Sequence, residues 1–437
     1  MRILLSCHQF FPRYYTGTEV LSLEVAGELK RRGHDVAILT IEPIVQGDAI
    51  LENPAIQKDF YEGFPVWRLI VPHSKCLIER MDRESYESQL TGLYRGVLNE
   101  WKPDLLHAFH LLRLTGSLVD EAFSYGIPIY LTPTDFWLIC PTYQLIRHDK
   151  SLCSRHNPHK CYSCLVSAYS RGMSPMPLHH RMARDFPKIA GLFHGDSRKV
   201  QEILALRMKR HQTLMKKLDK VFFSSAFMQH IFHKNNLIAK HEYITPFPIP
   251  ERSKAVLDLE MHFTDGPLKI AFIGTLRDTK GPQILIDACR KLHDRKDIEV
   301  SIWGAAPDQS FDRYLKKLAS GIEWIRFRGT FPQEDLVDVL GDCHVVVIPS
   351  LWHENTPLIA LSSLAARRVL VVSDVAGLSS LVVDGKSGYV FPAGDSNKLA
   401  SLLLTLADKR ELLLKISKAV TIPPSISEYI DSVMGTK

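Results

Sequence analysis

Two loops in the second half of the sequence carry residue types suited to phosphate and sugar chemistry. In Val345-Val346-Val347-Ile348-Pro349-Ser350-Leu351-Trp352-His353-Glu354-Asn355-Thr356-Pro357-Leu358 an apolar run ends at Pro349, a short polar segment presents Glu354, and a helix is set to begin. Thr356 is a good N-cap and Pro357 a good first helical residue. A helix start at the C-terminal edge of a parallel sheet offers unpaired backbone N–H groups and the positive end of a dipole, which suits phosphate. A carboxylate there is repelled by phosphate unless it serves another part of the ligand, such as sugar hydroxyls; the alternative is that Glu354 faces solvent. The other loop, Gly274-Thr275-Leu276-Arg277-Asp278-Thr279-Lys280-Gly281, places Arg277 and Lys280 near the same sheet edge. Two cations beside a helix start suit a diphosphate, and Arg can bind it bidentately.

Other clusters invite different chemistry. Cys140, Cys153, Cys161 and Cys164 are spaced C-x12-C-x7-C-x2-C across a polar, turn-rich segment. Four thiols with one tight C-x2-C pair supply the ligand count of a structural zinc site, with no open position left for catalysis. A set of half-buried thiols is the alternative, and His148, His156 and His159 are further candidate ligands. His107 and His110 follow a predicted strand and either line a ligand site or pack. Between positions 198 and 220 eight Lys or Arg residues accompany Leu204, Met208, His211, Met215, Leu218 and Phe222 at three- or four-residue spacing. That pattern reads as a helix lying on anionic lipid, or as a surface helix whose apolar stripe enters the core.

The elements that must position these residues alternate strand and helix. In the first half, strands are expected at 2–6, 36–40, 104–108 and 128–132, with helices at 19–32 and 84–101 and a loop at 11–18. In the second, strands at 269–274, 299–304, 322–329, 344–349 and 369–373 alternate with helices at 282–292, 311–319, 333–341 and 357–366. Such alternation implies parallel sheets covered by helices on both faces, with ligands bound at strand C-termini. Three prolines between Thr245 and Pro250 mark a boundary. The expected layout is an α/β chain of two Rossmann-like domains facing a cleft. It has an N-terminal domain at 1–246 with a cysteine-bearing insertion near 140–175, a linker at 247–266, a C-terminal domain at 267–410, and a tail at 411–437 packing back on the first domain.

Composition agrees with two domains: 437 residues, 45% hydrophobic and 23% charged, describe a globular chain with ample core. No apolar run approaches the roughly 18 residues of a membrane span. Nor does the N-terminus read as a secretory signal, which favours the cytoplasm. Lys and Arg exceed Asp and Glu by 54 to 48. So mild an excess allows anionic ligands or a membrane surface without calling for nucleic acid. Eight cysteines in this length are no disulfide scaffold.

His8-Gln9-Phe10-Phe11-Pro12, then Thr16-Gly17-Thr18-Glu19 and Arg32-Gly33-His34-Asp35-Val36, resemble the opening of the retaining GT-B glycosyltransferases of family 4, the glycosyl transferases group 1. Gly274-Thr275-Leu276, Lys280-Gly281, Ile302-Trp303-Gly304, Ile348 through Pro357 and Val382-Val383-Asp384-Gly385 resemble the later motifs in order and spacing. A subset of that family also carries a cysteine-bearing insertion. The resemblance implies transfer of a sugar from a nucleotide diphosphate-sugar, with retention, to a glycan or lipid-linked acceptor of surface polysaccharide or glycolipid assembly. The setting it implies is cytoplasmic, with peripheral contact on the inner face of the membrane.

By the same resemblance Lys280 meets the donor diphosphate, and amides near Thr356, Pro357 and Leu358 meet phosphate or sugar. Glu354 holds sugar hydroxyls, Gly17 leaves room for the diphosphate, and Thr330 and Phe331 lie by the nucleobase. Asp135 stands near the sugar, and the resemblance makes Glu354 and Asp135 the expected catalytic residues. No cofactor is required, since fixed cations and amides meet the leaving group's charge. Ser362 replaces the motif's second acid, where a hydroxyl retains one bond. Thr275, Thr134, Arg367, Arg368 and Ser380 are further departures. They define the rival reading: a non-catalytic homologue that binds nucleotide sugars or acts in assembly.

Overall fold

The computed structural model describes residues 1–43, 54–71, 87–170, 178–186, 197–261 and 266–435. The start of the helix expected at 84–101, the end of the cysteine-bearing insertion and part of the expected linker lie outside them. The chain forms two compact α/β units, one of Met1–Thr245 with Ile430–Lys437 and one of Pro246–Tyr429.

The first unit is built on an eight-stranded sheet. Its strands are β1 (Arg2–Cys7), β2 (Asp35–Pro43), β3 (Ala55–Tyr61), β4 (Phe64–Val71), β5 (Leu105–Ala108), β6 (Ile129–Leu131), β7 (Lys220–Phe223) and β8 (Glu242–Ile244), in the order β3-β4-β2-β1-β5-β6-β7-β8. All neighbours pair in parallel except β3 with β4. That hairpin was not predicted. Its turn is Glu62-Gly63, both with positive φ (48° and 78°), the conformation that two-residue hairpin loops favour.

The first helix spans Gly17–Arg31, two residues earlier than expected. Thr16 explains the early start: its backbone N–H and its hydroxyl both donate to Glu19 Oε2, at 2.8 and 2.6 Å, closing the first turn. Gly33, at φ 83°, ends the helix by donating to Lys30 O at 2.9 Å.

The basic stretch forms a helix at Ser197–Met215, with Val200, Leu204, Met208, His211 and Met215 buried. Leu218 and Phe222 are buried as well, but from the turn and β7 that follow. The helix stops short of 220 because 220–223 pairs with β6 and β8. Its apolar stripe is therefore core, and the lipid-surface reading keeps only the basic face.

The second unit holds β9 (Leu268–Ile273), β10 (Ile298–Trp303), β11 (Ile325–Gly329), β12 (Val345–Ile348), β13 (Val369–Ser373) and β14 (Tyr389–Phe391) in the parallel order β11-β10-β9-β12-β13-β14. Leu268, Ile270, Phe272, Val345, Val347, Val369 and Val371 enter one core cluster. The intervening Ala271, Val346, Ile348, Leu370 and Val372 enter another. Period-two side chains buried on both faces are the mark of a parallel sheet sandwiched by helices. The strand expected from 322 begins at Ile325, after a turn in which Ile325 N–H bonds Ile322 O at 3.3 Å. The segment expected as one helix at 333–341 is a 3-10 turn, Gln333–Asp335, followed by Leu336–Gly341. Among the described residues no helix is long and apolar enough to cross a membrane.

Candidate functional site

Strand order reverses direction between β9 and β12, and a doubly wound sheet leaves a crevice for ligands where the chain switches sides. The loops leaving these two strands are the two singled out in the sequence. They are bonded together, since Leu351 N–H donates to Thr279 O at 2.8 Å. The second loop is also bonded to the loop after β13, where Glu354 N–H donates to Ala376 O at 3.0 Å. Glycines make this packing feasible. A Cβ on Gly281 (φ +76°) would lie 1.9 Å from Pro349 O, and one on Gly377 (φ +85°) 1.7 Å from Glu354 O.

At this point the structure brings Lys280 and Glu354 together. Lys280 Nζ lies 2.8 Å from Glu354 Oε1 and 3.0 Å from Oε2. Oε1 also accepts from Ser350 Oγ at 2.7 Å and Trp352 Nε1 at 2.8 Å. The carboxylate is buried at 7% exposure, so the solvent-facing alternative for Glu354 is corrected. Sequence reasoning named neither Ser350 nor Trp352 as a partner of Glu354. Their signal was short-range: donors four and two residues before the carboxylate in a tight loop.

The helix after this loop is Leu358–Ala365, with Pro357 in the N-cap place at ψ 131°. Thr356 is therefore one residue farther out than expected, and its hydroxyl donates to Asn355 O. Ala360 and Leu361 N–H both reach Pro357 O, and no side chain caps the helix. The first amides, from Leu358 onward, stand at the positive end of the helix. Arg277 is exposed in the neighbouring loop. Ser362 is buried, and its hydroxyl bonds Ser253 Oγ at 3.3 Å.

Thr330 and Phe331 line a cavity of about 550 Å³ with Trp303, Ser301, Glu299 and Arg328. Phe331 meets Trp303 edge to face, with ring centroids 5.2 Å apart. Two ring faces beside hydrogen-bonding groups suit a flat heterocycle.

In the first unit the strand order reverses between β1 and β5, and polar residues gather after β1, β5 and β6. The His8 and His110 rings lie 4.2 Å apart. His110 Nδ1 accepts from Leu112 N–H at 3.0 Å, so Nε2 carries the proton that meets Asp135 Oδ2 at 2.8 Å. Asp135 Oδ1 accepts from Trp137 N–H at 2.8 Å. Arg207 and His211 of the basic helix anchor the same loop from inside, Arg207 donating to Trp137 O and His211 to Leu138 O at 2.7 Å.

His107, by contrast, is a packed core residue bonded to Thr132 Oγ1 at 2.9 Å, and burial pushes its pKa down to about 3. Thr134 receives a bond from Thr18 Oγ1 at 2.9 Å and donates to Phe109 O at 3.1 Å. Gly17 opens the first helix, exposed and with space around it.

The four clustered cysteines are all free thiols. Cys161 and Cys164 lie on the helix Pro158–Tyr169, and a turn closed by Cys153 N–H to Leu145 O at 2.7 Å carries Cys153 back toward Cys140. Cys140 and Cys153 lie near enough to Cys161 and Cys164 to disfavour the ionisation of those two. Burial is the main cause that lifts Cys161 to about 12 and Cys164 to about 11. Among the described residues no three or more His, Cys, Asp or Glu side chains form a group able to hold a metal ion.

Residues 267–409 match the family model described as Glycosyl transferases group 1. The chain is 30% identical over 175 residues to the D-inositol 3-phosphate glycosyltransferase of Corynebacterium glutamicum, covering 38% of this chain and 41% of the relative. It is 25% identical over 349 residues to the enzyme of that name from Corynebacterium kroppenstedtii, covering 76% and 70%. The chain thus spans about two fifths of the first of these relatives. A crystal structure of Anabaena HepE in complex with UDP superposes on the whole chain with a TM-score of 0.65 at 14% identity, covering 100% of both. The fold is therefore GT-B, two Rossmann-like domains, and the segment matching the glycosyltransferase model is the one whose loops join Lys280 to Glu354.

Proposed function

We propose that the protein is a retaining glycosyltransferase that takes a sugar from a nucleotide diphosphate-sugar. The observation that carries this reading is the buried Glu354 joined to Lys280 at the switch point of the second sheet. A cation and a helix start suit a diphosphate leaving group, and a buried carboxylate beside them suits sugar hydroxyls. The match of residues 267–409 to a glycosyltransferase model supports the same chemistry.

In this reading Lys280, Arg277 and the amides from Leu358 onward meet the diphosphate. Glu354 orients the sugar, and Thr330 and Phe331 with Trp303 take the base. Asp135, oriented by His110, serves the acceptor side. The leaving-group charge is met by fixed cations and amides, so the reading calls for no cofactor. The acceptor is a glycan or a lipid-linked sugar of surface polysaccharide or glycolipid assembly, and the work is done at the cytoplasmic side of the membrane.

Thermal melts with UDP-, GDP- and ADP-sugars test the donor site. A ligand present at a hundred times its Kd adds about 2.7 kcal/mol of stability, so the matching nucleotide raises Tm selectively. Absence of a rise with every donor would overturn the reading. With the donor known, the anomeric configuration of the product by NMR tests retention, and an inverted product would refute it.

A further inference from the structure

The two oxygens of Glu354 are held differently. Oε1 accepts from three donors: Ser350 Oγ at 2.7 Å, Trp352 Nε1 at 2.8 Å and Lys280 Nζ at 2.8 Å. Among the described residues Oε2 has only Lys280, at 3.0 Å. Lys280 also lies over the Trp352 ring, 5.2 Å from its centroid. Its side chain is 28% exposed while that of Glu354 is 8% exposed. Lys280 is therefore the more exposed partner of the pair, with a π-face beneath its ammonium, and the carboxylate is fixed in place by neutral donors of its own loop.

We infer that Lys280 is exchanged between Glu354 and the donor diphosphate, and that Trp352 is the residue that keeps Glu354 positioned when the exchange occurs. The inference rests on the nucleotide-sugar reading of this site. A diphosphate carries more negative charge than a carboxylate and attracts the more exposed partner of the pair. A buried carboxylate stripped of its only cation is costly unless other hydrogen bonds remain. Ser350 and Trp352 supply them, both on Oε1. The departure of Lys280 then uncovers Oε2 alone, which becomes the acceptor for a sugar hydroxyl. Oε1 anchors and Oε2 works. The exchange also couples the two halves of the ligand, because the carboxylate becomes available to the sugar only when a diphosphate has drawn Lys280 away.

Calorimetric titration of free nucleoside diphosphates and of the corresponding nucleotide-sugars tests the exchange on the full chain. In Glu354→Gln the competing charge is gone and Lys280 is released, so the matching diphosphate binds about three- to fivefold tighter, the scale of a partly exposed ion pair. Lys280→Met weakens it about tenfold or more. Trp352→Phe leaves diphosphate affinity unchanged but reduces the extra affinity of nucleotide-sugar over diphosphate, and it lowers kcat more than it raises KM for the donor. A merely structural role for Trp352 would weaken both ligands together. Unchanged or weaker diphosphate binding in Glu354→Gln overturns the exchange. Equal losses for both ligands in Trp352→Phe overturn the positioning role. No diphosphate binding to the unaltered protein would instead overturn the nucleotide-sugar reading itself, which separates the two failures.

Discussion

Gly377 presses against the backbone of Glu354: a side chain there would begin 1.7 Å from the Glu354 carbonyl oxygen. The loop after β13 is thus a template for the loop that carries the carboxylate. Gly377→Ala should force the two backbones apart and strain a φ of +85°, costing about 1–3 kcal/mol. A displacement near 1 Å at a reacting group can cost on the order of a hundredfold in rate. The expected outcome is a lower Tm together with a disproportionate fall in sugar transfer. A variant with full activity would show that this contact does not set the position of Glu354.

Asp135 holds His110 in one tautomer. Asp135→Asn puts an amide N–H in place of one carboxylate oxygen, opposite either His110 Nε2–H or Trp137 N–H. One buried donor loses its acceptor, at a cost of about 1–3 kcal/mol. Nitrogen-15 NMR of the histidine rings should show the His110 signals change, and chemical denaturation should report the loss. Unaltered ring signals with unchanged stability would contradict the described pairing.

Buried histidines make the first unit sensitive to acid. Burial holds His107 at about 3 and His156 at about 4, and pushes His8 and His211 well below the ordinary value of 6.5. Nearby cations add to the effect, Arg113 at His8 and Arg207 at His156 and His211. Below 6.5 the unfolded chain binds protons that the folded one refuses. Stability is therefore complete above that pH and falls as pH drops toward the folded values. The slope is at most about 1.4 kcal/mol per pH unit for each histidine. Denaturation at pH 7.5, 6 and 5 should show the decline, and His107→Gln should make it shallower. A flat profile over that range would contradict the burial.

Cysteine reactivity should follow the described exposures. Cys140 and Cys153 are half-buried, Cys164 is half-buried with its thiol lifted to about 11, and Cys7, Cys161, Cys289 and Cys343 are buried. A thiol reagent under native conditions should label Cys140 and Cys153 first, Cys164 more slowly, and the buried four only on unfolding. Mass spectrometry of peptides resolves the order. Joint protection of Cys140, Cys153, Cys161 and Cys164, lost on adding a chelator, would show instead that they hold a metal.

The sequence made the second unit more legible than the first. Its strands are short apolar runs, valine-rich in β12 and β13, with Gly274, Gly304 and Pro349 closing β9, β10 and β12, and β13 was expected at 369–373, where it lies. Lys280 and Glu354 stand out because each follows a buried strand. The β3–β4 hairpin escaped because Lys58, Asp59 and exposed Phe60 blur its alternation on an edge strand. Arg207 was counted with the basic face yet is fully buried, its guanidinium 5.1 Å from the Trp137 ring. Spacing alone could not reveal that, because a cation enters the core only where a carbonyl and a ring face await it, and those come from residues seventy positions away in sequence. Ser350 and Trp352 were missed for a related reason: hydrogen bonds inside a loop depend on its turn geometry, which the neighbouring β9 and β13 loops impose.

The first unit ends far from where its chain leaves it. Ile430–Lys437 group with residues before 246, and Asp431 Oδ1 meets Arg32 Nη1 at 2.7 Å, where Arg32 also bonds Glu28. The unit is therefore written in the gene as two separate passages with the whole of the second unit between them. A fragment cut at the proline-rich boundary carries Arg32 and Glu28 but not their third partner. Exchange of the second unit between relatives is an insertion into the first rather than the joining of two ends.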